Sequence, residues 1–278
     1  MKRGERIVMI NRREPRSIVN YLVVLAYLAM IGTNALANIL PINGITTGEV
    51  SESYPNLFAP AGLTFSIWGV IYVLLAGFAV YQLVVVQKGK RPPSADWIKK
   101  IGILFILSSL ANISWILAWH YRFIGLSTIL IASLLICLIL INRSIALTHL
   151  SKLDKIFIRL PFSIYFGWIT VATIANVTTL LVDWNWNGWG LSGETWTIII
   201  LLMGLAIAVA TMMSNKDIAY GLTVLWAYFG IAYKHISETG FAGEYPLIIG
   251  TTIAAMVVLV GTAGYLLYTH KKRAKSFY

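Results

Sequence analysis

Apolar residues collect in eight long runs, at roughly 19–40, 63–87, 101–119, 124–142, 160–182, 195–213, 218–234 and 246–269. A helix needs about 20 mostly apolar residues to cross the ~30 Å hydrocarbon core of a bilayer. Inside that core every backbone N–H and C=O has to be paired within its own segment, so the runs predict α-helices. A transmembrane barrel would instead show short segments alternating at period two, and the sequence has none. The expected fold is all-α, a polytopic transmembrane helical bundle.

The polar residues between the runs are unevenly placed. Lys2, Arg3, Arg6, Arg12, Arg13 and Arg16 precede the first run, and Lys88, Lys90, Arg91, Lys99 and Lys100 follow the second. Arg143, Lys152, Lys155 and Arg159 follow the fourth, Lys216 the sixth, and Lys271, Lys272, Arg273 and Lys275 the eighth. Of all the Lys and Arg, only Arg122 and Lys234 lie elsewhere; the alternate loops hold Glu49, Glu52, Asp183, Glu194, Glu238 and Glu244. Short cytoplasmic loops gather Lys and Arg, so eight spans put both termini in the cytoplasm, in a cell (inner or plasma) membrane. The first run is too long for a signal-peptide core and lacks a small-residue cleavage site, so it reads as a retained span.

Two outer loops stand out. The 41–62 loop carries Pro41, Gly44, Gly48, Pro55 and Pro60 and is long enough to fold back as a lid. The 183–189 loop, Asp-Trp-Asn-Trp-Asn-Gly-Trp, reads first as an interfacial aromatic belt. On the inner side, Ser214-Asn215-Lys216-Asp217 is short enough to make an antiparallel hairpin of the sixth and seventh spans, with Asp217 as helix cap. Gly204, Gly221, Gly230, Gly250, Gly261 and Gly264 would allow close packing of the last three helices.

Composition agrees with the pattern. The chain is 58% hydrophobic and 12% charged, against about 25% charged in soluble domains, and its mean hydropathy is +0.75. The net charge of +11 comes from the loop clusters rather than from a basic face, so nucleic acid is not an expected partner. The one cysteine, Cys137, lies in an apolar run and offers neither an intrachain disulfide nor a metal site. The hydrocarbon-depth parts of the runs hold no Asp, Glu, Lys or Arg, which weakens an ion-coupled mechanism. His120, His149, His235 and His270 lie at run ends or in loops, with His120 and His235 on the outer side. No Ser/His/Asp set, phosphate-binding loop or dinucleotide fingerprint is present, so binding or transport is favoured over catalysis.

Polar and aromatic residues within the spans recur at helical spacing. Ser108, Asn112, Trp115 and Trp119 share one face of the third; Tyr165, Trp168, Ala172, Asn176 and Thr179 form a stripe on the fifth; Phe65, Trp68 and Tyr72 do so on the second. An unpaired amide in hydrocarbon costs several kcal/mol, so Asn112 and Asn176 should face the bundle interior. Two roles remain open for these stripes: interhelical hydrogen bonding, or an aromatic-walled pocket with a few orienting polar groups.

The same stripes carry a resemblance. Trp168, Ala172, Thr173 and Asn176 match a Trp-x-x-x-Ala-Thr-x-x-Asn motif, Asn112 and Trp115 match Asn-x-x-Trp, and Pro60, Phe65, Trp68 and Tyr72 loosely match a Pro-led turn followed by aromatics. In this order, from about residue 20 to 185, the chain resembles the tryptophan-rich sensory protein (TspO/MBR) family. It departs in having Leu63 where a tryptophan is expected, in Pro161 lying farther from Trp168 than the family's Pro-Tyr, and in three extra helices. The resemblance implies a five-helix domain at 19–187, after a basic segment at 1–18 and before a three-helix extension at 188–278. It implies that Phe65, Trp68, Tyr72, Asn112, Trp115, Trp168, Ala172 and Asn176 line a pocket for a porphyrin- or sterol-like ligand. The implied role is sensor, receptor or carrier. A transporter of an unrelated solute and a light-dependent porphyrin-degrading enzyme are the alternatives. No cofactor is required, though the ligand could be porphyrin- or haem-like; the partners are the bilayer, the apolar ligand and, as an open alternative, a second copy in a homodimer.

Overall fold

The structure, a computed structural model, describes residues 17–85 and 94–275. The N-terminal cluster from Lys2 to Arg16, and Lys88, Lys90 and Arg91, lie outside the described residues. The described residues contain no strand. Ser17 starts α1 (Ile18–Ile39), its hydroxyl accepting from the Val19 amide. A 3-10 turn (Ile42–Gly44), the short helix α2 (Thr47–Glu52) and a second 3-10 turn (Gly62–Ser66) lead into α3 (Ile67–Val85). Next come α4 (Ala95–His120) and α5 (Ile124–Ala146). A single turn, α6 (Lys152–Asp154), runs through a π-helical turn (Lys155–Arg159) into α7 (Leu160–Asp183). The chain closes with α8 (Gly193–Asn215), α9 (Ile218–Ile236) and α10 (Pro246–Lys275).

Each of the eight apolar runs thus forms a long helix. Seven of these, all but α9, are long and apolar enough to cross a membrane. At 19 residues α9 is about 28 Å long, so length is not what sets it apart. Its three tyrosines, Trp226, Lys234 and His235 lower its apolarity, and Tyr220, Tyr228 and His235 are nevertheless buried inside the protein. The fourth helix begins earlier than its apolar run: Ser94 accepts from the Trp97 amide and Asp96 sits in the first turn, which draws Lys99 and Lys100 into α4.

Five helices close a ring: α1 packs on α3 and α4, α4 on α5, α5 on α7, and α7 on α3. The inward face of α1 is Asn20, Val23, Ala26, Met30, Asn34 and Ala37, a spacing of three and four that keeps one stripe on its neighbours. Outside the ring α9 packs on α7, and α10 packs on α9 and α8. The α7–α9 seam is tight. A methyl at Gly167 would lie 2.7 Å from the Tyr220 carbonyl oxygen and 2.9 Å from Thr223 Cβ, so the helices approach backbone to side chain only because that position is bare. Of the glycines expected to serve close packing, Gly204, Gly221 and Gly230 sit at such contacts, whereas Gly250, Gly261 and Gly264 have nothing within 4 Å.

The end of the seam at the α8–α9 turn is polar. Asp217 caps α9, accepting from the Tyr220 amide at 3.2 Å, and its other carboxylate oxygen accepts from the Ser163 hydroxyl. Arg159 donates to the carbonyls of Asn215 and Lys216, both at 2.9 Å, satisfying the C-terminal end of α8.

Candidate functional site

The three aromatic stripes meet inside the ring, in the half nearer the 41–62 loop. Trp68 stands at the centre, stacked with Tyr72 (ring centroids 5.5 Å apart) and Trp115 (6.2 Å), and edge-on to Tyr165 (6.0 Å) and Trp168 (6.2 Å). Phe65 meets Trp168 edge-on at 5.8 Å, and Trp115 stacks with Trp119 at 5.9 Å. These are the offset and T-shaped geometries that ring quadrupoles favour.

The buried amides are not free to serve a ligand. Asn176 accepts from the Trp115 indole N–H at 2.8 Å and donates to the hydroxyls of Ser127 (3.0 Å) and Thr128 (2.8 Å). Asn112 accepts from the Asn34 amide at 2.7 Å and donates to the Tyr165 hydroxyl at 3.2 Å. Polar groups at this depth need such partners. The indole N–H of Trp168 is an exception: the residue is 2% exposed and this nitrogen has no hydrogen-bond partner among the described residues. The Tyr72 hydroxyl is also buried without a partner.

Between the rings lies a small cavity with a volume of about 40 Å³. A water occupies at least ~10–15 Å³ on this measure, so the space holds a few waters. Of the eight residues singled out from the sequence, Phe65, Trp68, Trp115, Trp168, Ala172 and Asn176 line this cavity. Tyr72 lines instead a groove of about 280 Å³ between α1 and α3, which shares Thr47, Phe65 and Trp68 with the cavity. Asn112 is fully enclosed and lines neither. Trp119, Thr47, Ser51 and Pro60 are lining residues not singled out as such. Trp119 continues the Asn112–Trp115 face by one turn. The other three come from the outer loop, whose register over the cavity has no periodic signal.

That loop does fold over the ring. Thr46 and Glu49 form a reciprocal capping box at the start of α2, and Thr47 and Ser51 of that helix reach the cavity. The Trp119 indole donates to the Thr47 carbonyl at 3.1 Å. His120 braces the same segment: one ring nitrogen faces the Ile42 carbonyl at 3.1 Å, the other the Thr47 hydroxyl at 3.0 Å. A carbonyl only accepts, so Nδ1 carries the proton and Nε2 accepts from the threonine. His235 faces a different part of the loop, the Leu57 carbonyl, at 2.8 Å. Both His120 and His235 therefore hold the loop. Among the described residues no group of three or more His, Cys, Asp or Glu could bind a metal ion.

Trp186 and Trp189 of the 183–192 loop pack with Trp196 of α8, with centroids 5.0–5.7 Å apart, and Trp184 and Trp189 are largely exposed. An exposed indole cluster at a helix end fits the interfacial belt read from the sequence.

No curated protein and no solved structure matches the chain. A family model described as TSPO-like protein matches residues 20–265. The match runs past the five spans that carry the motifs and takes in α8, α9 and most of α10. This multi-pass helical membrane protein belongs to the TSPO-like family.

Proposed function

We propose that the chain binds an apolar, aromatic small molecule of porphyrin- or sterol-like shape inside the five-helix ring. It would act as sensor, receptor or carrier in a cell membrane, with eight spans and both termini in the cytoplasm. The observation that carries the reading is the cavity walled by Trp68, Trp115, Trp119 and Trp168 beneath α2, one of whose wall residues, Trp168, has a buried indole N–H with no partner among the described residues. A buried donor without a partner costs about 1–3 kcal/mol, a cost that a ligand carrying an acceptor would remove. Flat rings suit indole walls through offset stacking.

Phe65 and Trp68, together with Thr47, line both the cavity and the 280 Å³ groove between α1 and α3. Rotation of the two aromatic side chains would join the spaces into one of the size small-molecule sites have, roughly 300–1,000 Å³. Ligand binding is therefore coupled to their movement.

The test is tryptophan-fluorescence quenching of the purified protein titrated with protoporphyrin IX. Saturable quenching that is lost in Trp168→Ala and kept in Trp184→Ala, an exposed control, is expected. Linear, unsaturable quenching would mean partitioning into detergent and would sink the reading. A second reading, light-driven breakdown of a bound tetrapyrrole, draws on the succession Trp119, Trp115, Trp68, Trp168, each ring within 5.9–6.2 Å of the next. Loss of porphyrin absorbance on illumination, dependent on Trp68 and Trp168, would favour it over passive binding.

A further inference from the structure

The segment that roofs the cavity is fastened to α9. Three hydrogen bonds cross between them. The His235 ring donates through Nε2 to the Leu57 carbonyl at 2.8 Å, the Ala61 amide donates to the Gly230 carbonyl at 3.1 Å, and the Trp226 indole donates to the Thr64 carbonyl at 3.0 Å. They are spread along α9 from Trp226 through Gly230 to His235 and fall on consecutive stretches of the roof. The fit is close: a methyl at Gly230 would lie 1.9 Å from Thr64 Oγ1, so the roof lies directly against the bare helix at this point.

Pro60 of this segment lines the cavity, and Phe65, which follows it, meets Trp168. On its other flank the same segment borders open space. Pro55, Asn56, Leu57 and Phe58 line a cleft of about 360 Å³ between the outer ends of α7 and α8. Once its bonds to α9 are broken, the roof has room to swing away from the ring. The α4 side of the loop has no such freedom, being tied to Trp119 and His120.

We propose that α9 is the latch of the central cavity: it holds residues 57–64 closed over the aromatic cluster, and a ligand reaches the cavity when this contact opens. The ligand-binding role of the cavity is the reading proposed above, but the latch is tested without any ligand. This gives α9 a task in controlling the ring. It also gives a reason for its polar and aromatic outer half, since a purely aliphatic helix would lack the Trp226 and His235 donors.

The test uses the full chain with Cys137→Ala and Thr179→Cys, which places a thiol in the cavity wall. Thr179 is buried, and its hydroxyl bonds only to the Ala175 carbonyl one turn back, so cysteine fits there. The rate of modification by methyl methanethiosulfonate, followed by mass spectrometry, reports how often the cavity opens. Trp226→Phe and His235→Leu each remove one latch donor. Each should raise the rate about tenfold, the factor by which loss of roughly one net hydrogen bond shifts an opening equilibrium, and the double variant should raise it further. Unchanged rates in folded single and double variants would overturn the latch. Should a variant not fold, hydrogen exchange on the unmutated chain decides: the Ala61 amide should be strongly protected, and exchange as fast as at exposed loop amides would also overturn it. A failed porphyrin titration with a successful thiol result would remove the ligand reading and leave the latch standing.

Discussion

Gly167→Ala separates two effects of similar size. In a helix interior alanine is preferred to glycine by about 1 kcal/mol, so on helix propensity alone the change stabilises α7. Against this, the new methyl would stand 2.7 Å from the Tyr220 carbonyl oxygen and 2.9 Å from Thr223 Cβ, where unstrained carbon contacts are about 3.5–4.0 Å. Neither obstacle is the loose end of a side chain; both belong to the body of α9. The helices must part locally by most of an ångström, and overpacking of this kind costs about 1–3 kcal/mol. Parting also disturbs the Tyr220 hydroxyl bond to Thr170 (3.2 Å) and the Phe166–Tyr220 ring contact (centroids 4.7 Å). The steric loss wins, and a net destabilisation of roughly 1–2 kcal/mol is expected. Two controls fix the sign. Gly221→Ala meets first the side chain of Met212, which is buried but flexible, and should cost less than Gly167→Ala, and Gly250→Ala enters open space and should be neutral or slightly stabilising. The assay is reversible unfolding in mixed micelles as the SDS fraction rises, read by far-ultraviolet circular dichroism. Equal stability of the Gly167 and Gly250 variants would refute the claim that the α7–α9 seam depends on that contact.

Three further outcomes follow from the hydrogen bonds. Asn176→Leu strands the Trp115 indole N–H and should cost about 1–2 kcal/mol in the same unfolding assay; no measurable loss would show that the indole finds another partner. Asn112→Leu removes the partner of both Asn34 and Tyr165, so it should destabilise the ring while leaving porphyrin affinity within about twofold, because Asn112 lines no cavity; a large affinity loss at unchanged stability would contradict its placement. Glu49 accepts from the Thr46 amide and hydroxyl, both at 2.7 Å, and these bonds hold its carboxyl below the usual range. A depressed carboxylate contributes its stability above the unfolded value of about 4.3 and loses it as pH falls through the lower folded value. Protection of the Thr46 amide against hydrogen exchange should therefore persist at neutral pH and disappear in acid below about pH 4.3; protection that rises on acidification would exclude the capping box.

The number and type of long helices were legible because lipid removes the alternatives. A run such as 124–142 has no other way to pair its backbone, and α5 occupies 124–146. Helix ends were less legible where charge enters a helix: Lys99 and Lys100 look like loop residues, yet Ser94 and Asp96 start α4 ahead of them. The aromatic site was legible where periodicity carried it, so Trp68, Trp115 and Trp168 meet as their stripes suggest. Periodicity places a residue on the inward face, but it does not say at which depth the space opens. Asn112 points inward and is spent on Asn34, whereas Trp119, two turns nearer the 41–62 loop, reaches the cavity. The contribution of Thr47, Ser51 and Pro60 depends on how the 41–62 loop folds back. The decisive partners of that loop, Trp119, His120, Trp226 and His235, lie far away in sequence.

The distribution of those bonds says which wall of the site can yield. On α4 Trp115 is fixed by Asn176 and Trp119 by the Thr47 carbonyl, and Tyr165 of α7 is tied to Asn112 of α4. Moving any of these rings would leave a buried donor or acceptor unpaired, at a cost a stacking contact of about 0.5–1.5 kcal/mol does not offset. Phe65 and Trp68 are half-buried and engage the cluster through ring contacts, and the Trp168 indole has no bond to lose. The 40 Å³ cavity can therefore grow toward α3, α7 and the roof, and toward α4 only at high cost. Ligands of different width should accordingly perturb the environment of Trp68 and Trp168 in proportion to their size, with Trp115 unchanged. Site-specific fluorotryptophan spectra would show the difference, and an equal response at Trp115 would mean that the amide network does not hold the wall.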